Sequence, residues 1–201
     1  GLLGPLNQNK IMPSDLQVSN IKDLTGSNTG LSIASDGQVT IAQNNPTIQL
    51  GSNTTFPSEI IIGVQHMSVA SETNTNSGTF TATALTDSIT TTGSNKVVII
   101  ANVAGGLKTG ANYIAAYTIY RGTTNLATGG SDTVSAYDWM GHITSGDGGE
   151  AGTNVNMCFV DSPGAGTHTY TVRYGTNNTG YNAYFCVWGQ TSQMILMEVT
   201  A

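Results

Sequence analysis

Alternation of apolar and polar residues with a period of two is the feature that most limits what this chain can become. From "EIIIGVQHMSVA" to "QMILMEV" nine candidate strands follow one another, separated by turn residues, and alternation shows best in one of them. In "THTYTVRYG", His168, Tyr170, Val172 and Tyr174 fall on one face of an extended strand, while Thr169, Thr171 and Arg173 take the other. The segments "GTFTATALTDSITTT", "KVVIIANVAGG", "NYIAAYTIYRG", "VSAYDWMGHI", "VNMCFVD" and "YNAYFCVWG" are read as strands in the same way, rich in Val, Ile, Thr and Tyr. "KVVIIANVAGG" is apolar on both faces, as in a strand covered from both sides. Eight or nine antiparallel strands over residues 57–201 predict a β-sandwich of jelly-roll type.

The front of the chain differs. Residues 1–15 are apolar but aperiodic, broken by Pro5 and Pro13, and read as an extended arm. Residues 16–56 carry short aliphatic pairs, Leu16/Val18, Leu31/Ile33, Val39/Ile41 and Ile48/Leu50, and the first aromatic ring of the whole chain is Phe56. At Asp36-Gly37 a two-residue turn sets Ile33 opposite Thr40 and splits the aliphatics between faces. A three-residue loop, Ser35-Asp36-Gly37, instead sets Ile33 opposite Val39 and Leu31 opposite Ile41. The second keeps all four on one face and is preferred for a local hairpin. A stripe this narrow has no second layer, and below about 40 residues a chain ordinarily needs a disulfide, a metal or self-association. Without Cys or a ligand cluster in 16–56, self-association is expected: a short, intertwined β stem in which three copies cover one another. The expected plan is therefore all-β: arm 1–15, stem 16–56 and jelly-roll head 57–201.

Only 9% of the residues are charged, with a formal net charge of -6. Six Lys and Arg, scattered along the chain, make no phosphate-binding groove, so nucleic acid is not an expected partner. No apolar run reaches the roughly 18 residues of a membrane span. The opening "GLLGPLNQNKIMPSD" lacks the pattern of a secretory signal, and synthesis in the cytoplasm is expected. Cys158 and Cys186 are accordingly read as free, buried thiols.

The search for chemistry finds no G-x-S-x-G, H-E-x-x-H, P-loop or G-x-G-x-x-G motif, and neither enzymatic activity nor a cofactor or metal is expected. The acidic loop "GDGGEAG" lacks the order of a calcium hand. Between Arg121 and Arg173 there is no Lys or Arg, while Asp132, Asp138, Asp147, Glu150 and Asp161 all fall there. Tyr137 and Trp139 lie in that span. Rings beside carboxylates present stacking and hydrogen bonding to sugars, which makes Tyr137, Trp139, Asp147 and Glu150 the candidate receptor contacts. The competing reading makes the two rings core residues of an acid-edged strand. Glu198 shares a face with Met194 and Leu196 and needs a partner there; Arg121 is the first candidate, with Lys96 and Arg173 as alternatives.

The order "FPSEIIIGVQ", "KVVIIANVAGG", "YTIYRGTTNLATGG", "FVDSPGAGTHTYTVRYG" and "MILMEV" resembles the carboxy-terminal heads of tailed-phage fibre proteins, particularly of marine phages. "DLQVSNIKDLTGSNTGLSIASDGQVTI" is similar to the β-rich stems that precede such heads. The resemblance implies a homotrimeric virion surface protein. Its residues 1–15 would attach to other virion proteins of tail or capsid. Its head would be akin to trimeric tumour-necrosis-factor and C1q heads, with a host surface glycan as the further partner. Short fibre and capsid decoration protein are both compatible with the brief stem.

Overall fold

The computed structural model describes residues 20–22, 29–33, 39–40, 59–108, 113–145 and 149–201. The chain divides into two compact units between Thr54 and Thr55. The expected arm, 1–15, and most of the expected stem lie outside the described residues.

In the first unit, β1 (Asn20–Lys22), β2 (Thr29–Ile33) and β3 (Val39–Thr40) form an antiparallel meander in that order. Ile33 pairs with Val39 and Ser32 with Thr40. That is the register of the three-residue loop, since the two-residue turn would have brought Ile33 to Thr40. Ile41, expected opposite Leu31, lies outside the described residues; Leu31 pairs on its other side with Ile21.

The second unit holds β4 (Ile61–Val69), β5 (Thr73–Thr75), β6 (Thr81–Thr91), β7 (Lys96–Leu107) and β8 (Tyr113–Arg121). After these come β9 (Thr124–Asn125), β10 (Gly141–Ser145), β11 (Ala151–Asp161), β12 (Gly166–Thr176), β13 (Ala183–Phe185) and β14 (Ser192–Val199). One sheet has the order β10-β8-β12-β6, with β9 on β8. In the other, β14 and β13 lie end to end along one side of β7 and are flanked by β4 and β5, while β11 takes the opposite side. Counting β4/β5 and β13/β14 as broken single strands, each layer has four. The chain changes layer at every step except β8 to β10, and all pairings are antiparallel. This is the two-layer wrap of a jelly roll, as expected.

The interior follows the alternation. On β12, Tyr170, Val172 and Tyr174 are buried between the sheets, and on β14 Met194, Leu196 and Glu198 share the inward face. Tyrosines dominate: Tyr113, Tyr117, Tyr120, Tyr170 and Tyr174 are among the largest fully buried side chains. A buried hydroxyl without a partner is costly, and those of Tyr117, Tyr120, Tyr170 and Tyr174 each have one. Tyr117 Oη donates to the Tyr184 carbonyl at 2.5 Å and accepts the Gly106 amide at 2.9 Å. Tyr170 Oη donates to Asp161 at 2.8 Å, Tyr120 Oη to Asp132 at 2.6 Å and Tyr174 Oη to Thr73 at 3.1 Å.

Three segments depart from expectation; in "YNAYFCVWG" the strand ends at Phe185 and a 3-10 turn, Val187–Gly189, follows. "VSAYDWMGHI" is not one strand: Val134–Ala136 forms a single 3-10 turn, Tyr137 is left-handed at φ 62°, and the strand starts at Gly141. Strand propensity is overridden here by side chains that tie the loop together. Asn125 Nδ2 donates to the carbonyls of Ser131 (2.7 Å) and Asp138 (2.8 Å), while Asp138 Oδ2 accepts the Ser131 amide at 2.9 Å. On β7, both-sided burial holds only from Val103 onward; before that the strand alternates, and Ile100 is 43% exposed.

The buried half of β7 depends on glycine. A Cβ at Gly105 would stand 2.6 Å from the Tyr117 hydroxyl and 2.9 Å from Ile143. Gly105→Ala is therefore expected to displace the doubly bonded Tyr117, destabilising by about 1–3 kcal/mol, as overpacking does. Calorimetric unfolding checks this, and an unchanged melting temperature would show that the ring has room to move.

Candidate functional site

A cleft of about 410 Å³ opens where β11 meets the loop between β9 and β10. Leu126, Ala127, Thr128, Tyr137, Trp139 and Met140 line it from the loop, and Asn156, Met157, Cys158 and Phe159 from the strand. The loop reaches this position by folding back on the outer face of β8. There Phe80, Ala116, Tyr120 and Val134 form a second, small core with Trp139 packed against it. Trp139 is partly buried, its ring 4.2 Å from the His142 ring, and its Nε1–H is buried without an acceptor among the described residues. Tyr137, by contrast, is 70% exposed, its ring 6.3 Å from that of Trp139. Neither expected alternative describes the pair fully: Trp139 half-seals a core, and Tyr137 is presented to solvent.

The acidic residues do not join them. Glu150 is exposed and precedes β11, whose cleft-lining residues begin at Asn156. Six steps of extended chain place it about 20 Å along the strand from the cleft. Its charge acts instead on Lys108, at the end of β7. Asp147 lies outside the described residues. Asp138 is spent on closing the loop, and Asp132 on Tyr120. The cleft therefore sets rings, thioethers and aliphatic side chains beside the Thr128 and Tyr137 hydroxyls, the Asn156 amide and the Cys158 thiol, and most of the surface it exposes is polar; Asn156 Oδ1 already accepts from Asn102 at 2.5 Å. Such a lining suits hydrogen bonding beside an exposed ring. Among the described residues no cluster of three His, Cys, Asp or Glu is placed to hold a metal ion.

The expected Glu198–Arg121 pair is not formed. Arg121 Nη1 binds both carboxylate oxygens of Asp161, at 2.8 and 2.7 Å, and Asp161 also receives Tyr170 and the Ser162 amide. Arg121 pairs in register with Tyr170, which carries it to Asp161. Arg173 lies over the Tyr120 ring at 4.1 Å. Glu198 is met by neutral donors: the Thr92 amide at 2.7 Å, the Thr92 hydroxyl at 3.0 Å and Asn95 Nδ2 at 2.8 Å, all on Oε1. Cys158 and Cys186 are both free, but only Cys186 is buried. Cys158 is exposed because it sits on the outward-facing register of β11, opposite Ile100.

Burial works to raise the Glu198 carboxyl, yet the bonds from Asn95 and Thr92 outweigh it and hold the group below its ordinary 4.5. A depressed carboxylate contributes stability that is complete above the unfolded value and lost as pH falls through the lower folded one. Glu198→Gln is thus expected to flatten the decline in melting temperature below pH ~4.5. Parallel acid profiles for the two proteins would remove Glu198 from the account.

No family model matches the sequence, and no curated protein does. Among solved structures, a chain of the structure of infectious bursal disease virus Gx strain is similar with a TM-score of 0.32 and 14% identity. The likeness covers 78% of this chain and 42% of that one, so this chain spans less than half of that chain's length. Likeness of that degree bears on neither function nor partners.

Proposed function

We propose that the protein is a structural component of the surface of a tailed-phage virion, a homotrimeric short fibre or spike. Residues 1–15 attach it, residues 16–56 trimerise it, and the sandwich meets the host, with a neutral surface glycan as the receptor class. It is made in the host cytoplasm and acts without catalysis or cofactor. The resemblance to phage fibre heads and the jelly-roll wrap support this reading. The observation that carries it is the outer face of the β4-β14-β7-β11 layer.

Register lines up Val64, Met197, Val98 and Val160 across the four strands, and beside them His66, Ile195, Ile100 and Cys158. Val64 is 57% exposed, Val160 53% and Ile100 43%. The next row, Ser68, Gln193, Asn102 and Asn156, is wholly uncharged. A largely apolar face bordered on one side by amides is suited to cover by neighbouring copies about a three-fold axis, each meeting it with a different part of its own surface. Strand spacing gives the two apolar rows roughly 300 Å², short of the roughly 800 Å² per partner of a stable interface. Residues 16–56 supply the remainder.

Sedimentation of the full chain is expected to give a trimer, deletion of residues 1–56 a monomer, and Ile100→Glu in the full chain a roughly tenfold weaker assembly. A trimer that survives the deletion would transfer assembly to the head, and one indifferent to Ile100→Glu would assign this face to another partner. A monomeric full chain would end the fibre reading.

Attachment is tested by Trp139→Ala, which is expected to lower adsorption of virions to host cells while leaving the trimer intact. Undiminished adsorption would remove the cleft as the receptor contact. The second reading, a capsid decoration protein of the same fold, is favoured by the shortness of residues 16–56. Copy number on the particle separates the two: many trimers for decoration, few for a fibre.

A further inference from the structure

The segment "CVWGQ" carries a second aromatic surface, resting on Gly152 of β11, about 13 Å by strand rise from the cleft's edge at Asn156. Cys186 (φ 53°), Trp188 (φ 57°) and Gly189 (φ 70°) are all left-handed, a backbone that two bulky non-glycine residues adopt only when their surroundings enforce it. The enforcing contacts are visible. Cys186 is buried, with Sγ 3.2 Å from the Val69 carbonyl, and Val187 is buried over Gly106, where a Cβ would stand 2.6 Å from it. The Trp188 amide donates to Glu72 Oε2 at 2.6 Å. A Cβ at Gly152 would lie 2.4, 2.7 and 3.2 Å from Cζ3, Cη2 and Cε3 of the indole. The six-membered ring therefore rests on bare glycine backbone, while the residue remains 51% exposed.

Beside it, Glu72 Oε1 receives Lys108 Nζ at 2.5 Å, and Lys108 lies 4.7 Å from the centre of the Tyr184 ring. The Lys108 bond holds the Glu72 carboxyl below its ordinary range, so both partners stay charged at neutral pH. An ionised carboxylate offers about four lone-pair sites and an ammonium three protons. Each thus keeps capacity after the bonds already formed, and the pair is still partly exposed, at 29% and 25%.

We propose that Trp188, Glu72 and Lys108 form a binding site for a neutral pyranose with adjacent hydroxyl groups. The C–H face of the sugar stacks on the indole, one hydroxyl donates to Glu72 and its neighbour accepts from Lys108. The fixed ion pair spaces these two bonds, and with the Glu150 charge also acting on Lys108 the site disfavours an anionic ligand. Placement agrees with a role at the tip. The chain enters the sandwich where Glu59 and Ile60 bond to Thr200, at the end of β7 where Lys96 pairs with Val199. Trp188 lies at the other end, where Leu107 pairs with Ala151 and Ala183, about 35 Å away by strand rise. The service of this site in host attachment rests on the proposed function; its chemistry does not.

The test uses the full chain, ¹⁵N-labelled, whose two tryptophans give two indole N–H resonances. It is titrated with methyl α-D-glucopyranoside, methyl β-D-galactopyranoside and methyl α-D-mannopyranoside. Saturable movement of the resonance that Trp188→Ala deletes is expected with at least one sugar. Glu72→Gln, whose effect on the fold is followed by its melting temperature, is expected to weaken that binding roughly tenfold. Movement of neither resonance, or only of the Trp139 resonance, overturns the proposal. Binding at Trp188 without any effect of Trp188→Ala on virion adsorption would uphold the site and sink the attachment role instead.

Discussion

Buried tyrosine hydroxyls organise this molecule. Between the two facing sheets phenol rings share the space with leucine, isoleucine and valine, and each ring brings one O–H that must be satisfied. Those hydroxyls reach out of the core to particular loops and edges. Tyr120 holds Asp132, and with it the loop carrying Tyr137 and Trp139. Tyr117 grips the Gly106 amide and the Tyr184 carbonyl, fixing the ground on which Val187 and Trp188 lie. The Trp188 surface thus inherits its position from hydrogen bonds made inside the sandwich, and the Tyr137–Trp139 loop from one made in the small core on the outer face of β8. Burial pushes the Tyr174 hydroxyl upward, and in Tyr120 and Tyr170 a neighbouring carboxylate adds to that effect. All of these groups therefore remain donors across the ordinary pH range.

Scarcity of charge gives the few ionised groups defined structural work. Asp161 gathers Arg121, Tyr170 and a backbone amide into a closed cluster on the inward register of β11. Glu198 accepts three neutral donors from the turn between β6 and β7. Surface ion pairs contribute little by themselves. The Glu72–Lys108 pair is better understood as a positioning device, since Glu72 also receives the Trp188 amide. On the outer face of the β4-β14-β7-β11 layer the charge stands at the edge, on Lys96, and leaves the rows of Val98 and Ile100 without a carboxylate or ammonium group.

Much of the fold was legible because alternation on β6, β12 and β14 reports burial directly: Tyr170, Val172, Met194 and Leu196 are inward as read. The register of the first hairpin was legible too, since only one loop length keeps Ile33 beside Val39. The errors share a cause. "VSAYDWMGHI" and the end of "YNAYFCVWG" have strand-forming residues, but bonds from Asn125, Asp138 and Glu72 bend them into turns. Glu198 was rightly predicted to face the core, but alternation cannot say which donor stands above it. Trp188 went unnoticed, although a signal existed. Gly105, Gly106 and Gly152 interrupt two strands, and glycine inside a strand marks close approach of another chain segment.

By itself the sequence determined that this protein is built of antiparallel strands, which residues face inward, and that little charge is available, because alternation and composition act through the local backbone and through solvation. Only the tertiary structure decided which aromatic rings stand together and which carboxylate serves which cation. Those relations join strands such as β5, β7, β11 and β13, far apart along the chain, and their registers are fixed only when two whole sheets close on one another.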